Sequence, residues 1–178
     1  WMADQYAIIK RDLLPGVITG KPIPLGGSLG RGDATGRGGF YVLEALKESL
    51  GLKGSPITVA IQGFGNAGQH FASLAAAAGY KIVAVSDSKG GVYREQGLDI
   101  PSVIRHKNEK RECDAVSYSG SSVQKQDAKR ISNEELLSLD VDVLVPAALE
   151  GQITKHNAHK VRATIVAEGA NGPTTPEA

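Results

Sequence analysis

One segment, residues 57–87, constrains the fold of this chain more than any other. It reads ITVAIQGFGNAGQHFASLAAAAGYKIVAVSD. An apolar run leads into a Gly-Phe-Gly-Asn-Ala-Gly turn, a helical pattern follows, and a second apolar run ends at the acidic residue Asp87. This order of strand, glycine turn, helix, strand and carboxylate is typical of a βαβ unit that binds a dinucleotide.

The residues of the glycine turn each have a physical reason to be there. Gly63 permits the tight turn, Gly65 lets the backbone approach a pyrophosphate, and Gly68 lets the helix pack closely on the sheet. The start of the helix offers N–H groups and the positive end of its dipole to phosphates. Asp87, 24 positions after Gly63, would accept hydrogen bonds from a ribose hydroxyl. We therefore predict a dinucleotide site; the alternative is a glycine turn that binds no ligand.

Composition excludes some classes of protein. The chain has 178 residues, enough for one domain, and a net charge of +1 from 20 Lys and Arg against 19 Asp and Glu. This balance gives no indication of nucleic-acid or membrane binding, and no apolar run approaches the roughly 20 residues of a membrane-spanning helix. The single cysteine, Cys113, cannot form an internal disulfide, which favours a reducing compartment, so we expect a cytoplasmic protein.

Strand and helix patterns alternate along the chain, and the strands are almost continuously apolar. This predicts an α/β fold of the Rossmann-like, doubly wound kind, with a mostly parallel sheet and helices on both faces. Besides the segment above, the patterns predict helices at 1–14, 34–50, 98–110 and 153–161, and strands at 141–145 and 164–167. Ser132 and Glu135 form a capping-box pattern. The Ser-, Gly- and Gln-rich residues 113–128 are expected to be irregular and exposed.

Four separated motifs carry a family resemblance. They are GGSLGRGDATGRG at residues 26–38, GFGNAG at 63–68, LVPAALE at 144–150 and AEGANGPTTPEA at 167–178. Together they resemble glutamate dehydrogenase, over essentially the whole chain. Leucine, phenylalanine and valine dehydrogenases share the fold and the glycine turn, but they lack the Gly-Gly-Ser-Leu-Gly-Arg lead-in.

The resemblance implies an enzyme that reversibly deaminates L-glutamate to 2-oxoglutarate and ammonia, with hydride transfer to NAD or NADP. It identifies residues 1–178 as the NAD(P)-binding domain, with 1–33 as a lead-in helix and loop from the substrate domain. The family's catalytic lysine lies in a GGGKGG-type segment that this sequence does not contain. We therefore expect a fragment that binds cofactor without turnover and holds no catalytic residue, cut from a protein whose full-length form is a homohexamer.

The resemblance also assigns roles to individual residues. The pyrophosphate and its ribose would contact the glycine turn, namely Gly63, Phe64, Gly65, Asn66, Ala67 and Gly68. Thr35 would bind the nicotinamide carboxamide, Arg31 the substrate carboxylate, and Asn171 would face both the nicotinamide and the substrate. Ala147 and Ala148 would offer backbone contacts to the cofactor. Each position also has a purely structural interpretation, as a helix start, a solvated loop arginine, a packing residue or a turn.

The choice of cofactor stays open at this point. Asp87 favours NAD, because a carboxylate repels a 2′-phosphate, whereas Ser88 and Lys89 would bind that phosphate and offset the repulsion. No metal site is expected, since His156 and His159 lack a third ligand nearby. Two other functions remain: a leucine- or phenylalanine-type dehydrogenase, and a non-catalytic module that senses NAD(P).

Overall fold

The computed structural model describes residues 1–52, 56–119 and 122–178. These residues form two compact units, Trp1–Ala34 and Thr35–Ala178. In the first unit, helix α1 spans Met2–Lys10 and two single-turn 3₁₀ helices follow at Pro15–Val17 and Ile23–Leu25. The helix predicted over 1–14 is therefore too long. It ends early because Arg11 adopts the left-handed conformation at φ 54° and its N–H bonds back to the last turn.

The second unit contains a six-stranded sheet. Its strands are β1 Thr58–Gln62, β2 Lys81–Asp87, β3 Gly90–Tyr93, β6 Lys129–Ile131, β7 Val143–Pro146 and β8 Ile165–Val166. Across the sheet they lie in the order β6-β3-β2-β1-β7-β8. A separate hairpin pairs β4 Val116–Ser119 with β5 Ser122–Lys125. Strands β2, β1, β7 and β8 run parallel to one another. At one edge of the sheet, β3 pairs in antiparallel fashion with both β2 and β6. The prediction of a mostly parallel sheet is confirmed.

Helices cover both faces of this sheet. They are α2 Ala34–Leu46, α3 Asn66–Ala77, α4 Ile100–Lys110 and α5 Asn133–Leu137. On one face, α2, α3 and α4 bury side chains such as Phe40, Phe71 and Val103 against the strands. On the other face, α5 buries Leu136 beside Leu144 of β7. The doubly wound prediction is thus correct, and no helix of the described residues is long and apolar enough to cross a membrane.

Helix α2 is shorter than predicted and buries only part of its apolar side chains. Phe40 and Leu43 are buried, but Leu46 and Leu50 are 45% and 42% exposed. The regular helix ends at Leu46 rather than at the predicted residue 50, and Gly51 follows in the left-handed conformation at φ 74°.

Two other segments differ from expectation. Residues 113–128 match the expectation only in part: Ser122–Lys125 are exposed, but Cys113 and Val116 are buried, and β4 and β5 lie within the segment. Asp114 at the start of this segment pairs with both Lys125 and Arg130. The loop residues between the two strands, 120–121, lie outside the described part of the chain.

The helix predicted over 153–161 is only a 3₁₀ turn at Ala158–Lys160. The side chain of Asn157 takes the place of helical bonding. It accepts a hydrogen bond from the Thr154 N–H at 2.7 Å and donates to the Gln152 carbonyl at 2.8 Å. Asparagine competes in this way with the backbone ladder.

Candidate functional site

The glycine turn follows β1 and is fixed to the end of β2. Gly63 has φ 93°, a conformation that glycine adopts without strain. The N–H groups of Gly63 and Phe64 both donate to the Ser86 carbonyl, at 2.9 and 2.7 Å. A single carbonyl oxygen therefore holds the first two residues of the turn.

The three glycines of the turn stand in different surroundings. A Cβ on Gly63 would lie 2.6 Å from the Ala148 nitrogen, and a Cβ on Gly68 would lie 2.1 Å from the Gly63 oxygen. A Cβ on Gly65 would meet nothing within 4 Å. Gly63 and Gly68 are thus required by packing within the protein, while Gly65 faces open space at the point where a pyrophosphate would approach.

Helix α3 begins directly after this open position. Gly65 is its N-cap residue and provides no side chain to cap the helix. The N-terminus of a twelve-residue helix attracts anions, because its first N–H groups point outward and its dipole is positive there. Asn66 is exposed and Ala67 half-buried, whereas the Phe64 side chain is fully buried, so only the backbone of Phe64 can face a ligand.

Helix α2 crosses close to the same helix start. A Cβ on Gly36 would lie 2.5 Å from the Ala67 oxygen and 2.8 Å from the Phe71 nitrogen. This contact sets Thr35, which is exposed, near the beginning of α3. A cavity of about 290 Å³ opens here. Its lining includes residues from all four predicted motifs, among them Thr35, Ala67, Ala147 and Gly169.

The ends of β7 and β8 form the other wall of this cavity. The Ala147 N–H donates to the Gln62 carbonyl at 2.8 Å, which continues the ladder from β1. After β8, the N–H groups of Gly169 and Ala170 both donate to the Pro146 carbonyl, at 3.0 and 3.1 Å. The chain then reaches Asn171, which is exposed. The structure therefore gathers Ala147, Ala148 and the segment before Asn171 at the carboxyl ends of parallel strands, where α/β proteins bind ligands.

Asp87 lies at the end of β2 but its carboxylate is already engaged. It forms an ion pair with Lys107 of α4 and accepts the Lys89 N–H at 2.7 Å. Its side chain is only 8% exposed. Burial by itself would raise the pKa of Asp87, but the Lys107 ammonium, the Lys89 amide and the Cys113 thiol together hold that pKa below its usual range. Ser88 and Lys89 are exposed beside it.

The Cys113 thiol belongs to the same cluster. Burial, followed by the nearby Asp87 charge, raises the pKa of Cys113 to about 12. The thiol is therefore neutral over the physiological range and donates its hydrogen bond to the Asp87 carboxylate.

Arg31 belongs to the first unit, Trp1–Ala34. It is exposed and lines a cavity of about 530 Å³ together with Lys21 and Ser28. The predicted site residues that the structure brings together are those of the second unit.

The sequence patterns did not reveal several residues that build this site. They are Gly36, Gln62, Ser86, Lys107 and Asn133. Ser86 and Gln62 offered a weak signal, since each is a polar residue at the end of an otherwise apolar strand. Both are buried, and Gln62 Nε2 donates to Gln152 Oε1 at 2.8 Å. Among the described residues, no group of three or more His, Cys, Asp or Glu side chains is arranged to hold a metal ion.

Comparison with known proteins agrees with this geometry. The family described as Glutamate/Leucine/Phenylalanine/Valine dehydrogenase matches residues 26–178. An NADP-specific glutamate dehydrogenase of Synechocystis sp. is 51% identical over 178 residues, covering 100% of this chain and 42% of the relative. A catabolic NAD-specific glutamate dehydrogenase of Bacillus subtilis is 46% identical over 179 residues, covering 99% of this chain and 39% of the relative.

A solved structure shows the same similarity in three dimensions. The hetero-hexameric glutamate dehydrogenase of Thermus thermophilus, in a leucine-bound form, superposes with a TM-score of 0.82 at 38% identity. The alignment covers 99% of this chain and 39% of that one. The chain thus spans about two fifths of the length of the relatives that it matches.

Proposed function

Since the chain belongs to the Glutamate/Leucine/Phenylalanine/Valine dehydrogenase family, we propose that it forms the NAD(P)-binding part of a glutamate dehydrogenase. The intact protein would catalyse the reversible oxidative deamination of L-glutamate to 2-oxoglutarate and ammonia. In that reaction the nicotinamide cofactor accepts the hydride, and the protein contributes positioning and electrostatics.

The observation that carries this proposal is the glycine turn. It is held from one side by the Ser86 carbonyl and packed from the other against Ala147 and Ala148, yet it is open at Gly65. The pyrophosphate would lie over Gly65 at the start of α3. The nicotinamide half of the cofactor would then extend toward Thr35 and Asn171, and the adenosine half would extend toward Asp87.

The pairing of Asp87 bears on the choice between NAD and NADP. Because Lys107 neutralises the Asp87 carboxylate, the repulsion of a 2′-phosphate is weaker than the sequence alone suggests. Lys89 and Ser88 are exposed beside it and would contact that phosphate. We propose that either cofactor fits this site; the relatives in Synechocystis sp. and Bacillus subtilis are named NADP-specific and NAD-specific, respectively.

The remaining parts of the reaction would come from elsewhere in the intact protein. Arg31 has the planar guanidinium that suits a substrate carboxylate, while the acid–base groups would be provided by the substrate domain. We propose a hexameric intact enzyme, since the similar Thermus thermophilus protein is named as a hetero-hexamer. We propose a cytoplasmic location, because the free and buried thiol of Cys113 suits a reducing compartment.

Two measurements test the proposal. The 178-residue chain should bind NADH or NADPH, measured by nucleotide fluorescence, but should not reduce cofactor when glutamate is added. The intact protein should reduce NAD or NADP with glutamate far faster than with leucine or phenylalanine in a substrate panel. Failure of the chain to bind either nucleotide would overturn the binding proposal, and a preference for leucine or phenylalanine would overturn the substrate.

A further inference from the structure

The side-chain amide of Asn133 makes two hydrogen bonds to the last two residues of β2. The Ser86 hydroxyl donates to Asn133 Oδ1 at 2.6 Å, and Asn133 Nδ2 donates to the Asp87 carbonyl at 2.9 Å. An amide presents an acceptor and a donor side by side, which a carboxylate or an apolar side chain does not. Both functions of this amide are used, and its two partners, the Ser86 hydroxyl and the Asp87 carbonyl, flank the peptide that joins Ser86 to Asp87.

The peptide between these two partners is the one that fixes the glycine turn. Its carbonyl, that of Ser86, accepts the N–H groups of both Gly63 and Phe64. Asn133 therefore acts on the turn through one intermediate peptide. On the opposite side of that peptide, Asp87 leads into Ser88 and Lys89, the residues beside the proposed ribose position.

Asn133 is itself rigidly placed. It is the first residue of α5, whose start is fixed by a reciprocal capping box: the Glu135 N–H donates to Ser132 Oγ at 3.1 Å, and the Ser132 N–H donates to Glu135 Oε2 at 2.7 Å. Leu136 of the same short helix is fully buried. The Ser86 side chain is fully buried as well, so its hydroxyl would lose its partner if Asn133 were removed.

We propose that Asn133 is a positioning residue for the adenosine half of the cofactor. It does not contact the ligand; it holds Ser86 and Asp87 so that the glycine turn and the ribose end keep their binding geometry. This inference rests on the proposed nucleotide-binding function. When such a residue is lost, only a fraction of the molecules keeps the binding-competent turn, and affinity falls by that fraction.

The test compares two asparagine truncations in the intact protein. Asn133→Ala removes two hydrogen bonds near the turn, while Asn157→Ala removes two equivalent bonds, to Thr154 and Gln152, that involve neither the turn nor β2. The probe is ADP-ribose, which contains the adenosine half and the pyrophosphate but no nicotinamide. We expect Asn133→Ala to weaken ADP-ribose binding and raise the cofactor KM about three- to tenfold with kcat unchanged, and Asn157→Ala to leave both at the wild-type value.

Asn133→Asp provides a second variant in case Asn133→Ala folds poorly. It keeps the acceptor for the Ser86 hydroxyl and replaces the donor to the Asp87 carbonyl by a charged acceptor that repels this carbonyl, so we expect a loss in the same direction. In a double-mutant cycle, Ser86→Ala and Asn133→Ala should be less than additive in their effect on ADP-ribose affinity.

The positioning role would be overturned if both Asn133 variants bound ADP-ribose with wild-type affinity. It would also be overturned by additive effects in the double-mutant cycle, or by an equal loss of affinity in Asn157→Ala. A wild-type protein that does not bind ADP-ribose would overturn the proposed function instead, so the two failures are distinguishable.

Discussion

Lys107 and Asp87 form an ion pair at the end of β2, with side chains that are 18% and 8% exposed. The pair joins α4 to the position where a dinucleotide-binding sequence places its ribose-binding carboxylate. The charge of the Asp87 carboxylate is therefore balanced by the Lys107 ammonium within the protein, so that a ligand at this position meets a neutral pair.

Replacing Lys107 by methionine should therefore affect both stability and cofactor preference. The substitution keeps the apolar stem but leaves the Asp87 carboxylate without its main counter-charge, and we expect a loss of about 2–3 kcal/mol in the free energy of unfolding. The unpaired carboxylate should also repel a 2′-phosphate, so the ratio of NADP to NAD affinity should fall. Chemical denaturation and nucleotide titrations measure the two effects. An unchanged ratio would show that Asp87 does not face the 2′ position.

Lys89→Ala provides the matched comparison, because Lys89 is exposed and only its backbone N–H bonds to Asp87. Its truncation should leave stability within about 0.5 kcal/mol of wild type, while NADP binding weakens and NAD binding does not. If NADP binding is unaffected, the Lys89 ammonium does not contact the phosphate.

The same ion pair should make the protein sensitive to acid. Burial pushes the pKa of Asp87 up, but its hydrogen bonds, chiefly from Lys107, hold it below the usual value of 3.8. A carboxylate with a lowered pKa stabilises the folded state above the pKa of the unfolded chain, and that contribution is lost as the pH falls through the folded pKa. We expect the free energy of unfolding to decline below about pH 4, and to decline less steeply in Asp87→Asn. Equal slopes for both proteins in urea titrations would contradict this assignment.

The glycines of the turn should separate packing from ligand binding. Gly68→Ala places a Cβ 2.1 Å from the Gly63 oxygen, and we expect it to destabilise the fold by more than about 3 kcal/mol. Gly65→Ala meets no protein atom within 4 Å, so stability should stay within about 1 kcal/mol of wild type, whereas nucleotide affinity should fall at least about tenfold. Calorimetry and nucleotide titration of the two variants measure this contrast. Normal nucleotide binding by Gly65→Ala would place the pyrophosphate elsewhere.

Residues 57–87 were predictable from the sequence because their signals are local. The apolar strands, the glycine turn and the helix between the strands each follow from neighbouring residues, and the structure places β1, α3 and β2 there. Asn133 and Lys107 were not predictable in the same way. They reach Asp87 from 46 and 20 positions away, and only the packing of α5 and α4 on the two faces of the sheet brings them together.

Two segments of the chain differ from their predicted structure for equally specific reasons. Residues 113–128 appeared exposed throughout because they are polar, but residues 113–116 are buried. There Asp114 pairs with Lys125 and Arg130, and Arg130 also donates to the Cys113 carbonyl. Residues 153–161 have apolar spacing compatible with a helix, yet the Asn157 side chain bonds the backbone of two preceding residues, Thr154 and Gln152. In both segments, contacts between side chains and distant or backbone groups produced a structure that composition and spacing did not predict.

The crossing of α2 over α3 provides a final prediction, because two glycines of α2 should respond to alanine with opposite signs. A Cβ on Gly36 would lie 2.5 Å from the Ala67 oxygen and 2.9 Å from the His70 Cβ, whereas a Cβ on Gly38 would meet nothing within 4 Å. Gly36→Ala must push the helices apart, so we expect a loss of about 2–3 kcal/mol. Gly38→Ala should instead stabilise the protein by about 0.5–1 kcal/mol, since alanine restricts the unfolded chain and favours helix.

The variants Gly36→Ala and Gly38→Ala also test whether the crossing of α2 over α3 supports the proposed cofactor site. Because Gly36 lies beside Thr35 and against the first turn of α3, moving α2 outward should displace Thr35 from the nicotinamide side and weaken NADH binding more than ADP-ribose binding. Gly38→Ala should bind both ligands as wild type does. Thermal denaturation gives the stabilities and paired titrations give the two affinities. If Gly36→Ala weakened both ligands equally, the crossing would support the α3 start as a whole rather than Thr35 in particular.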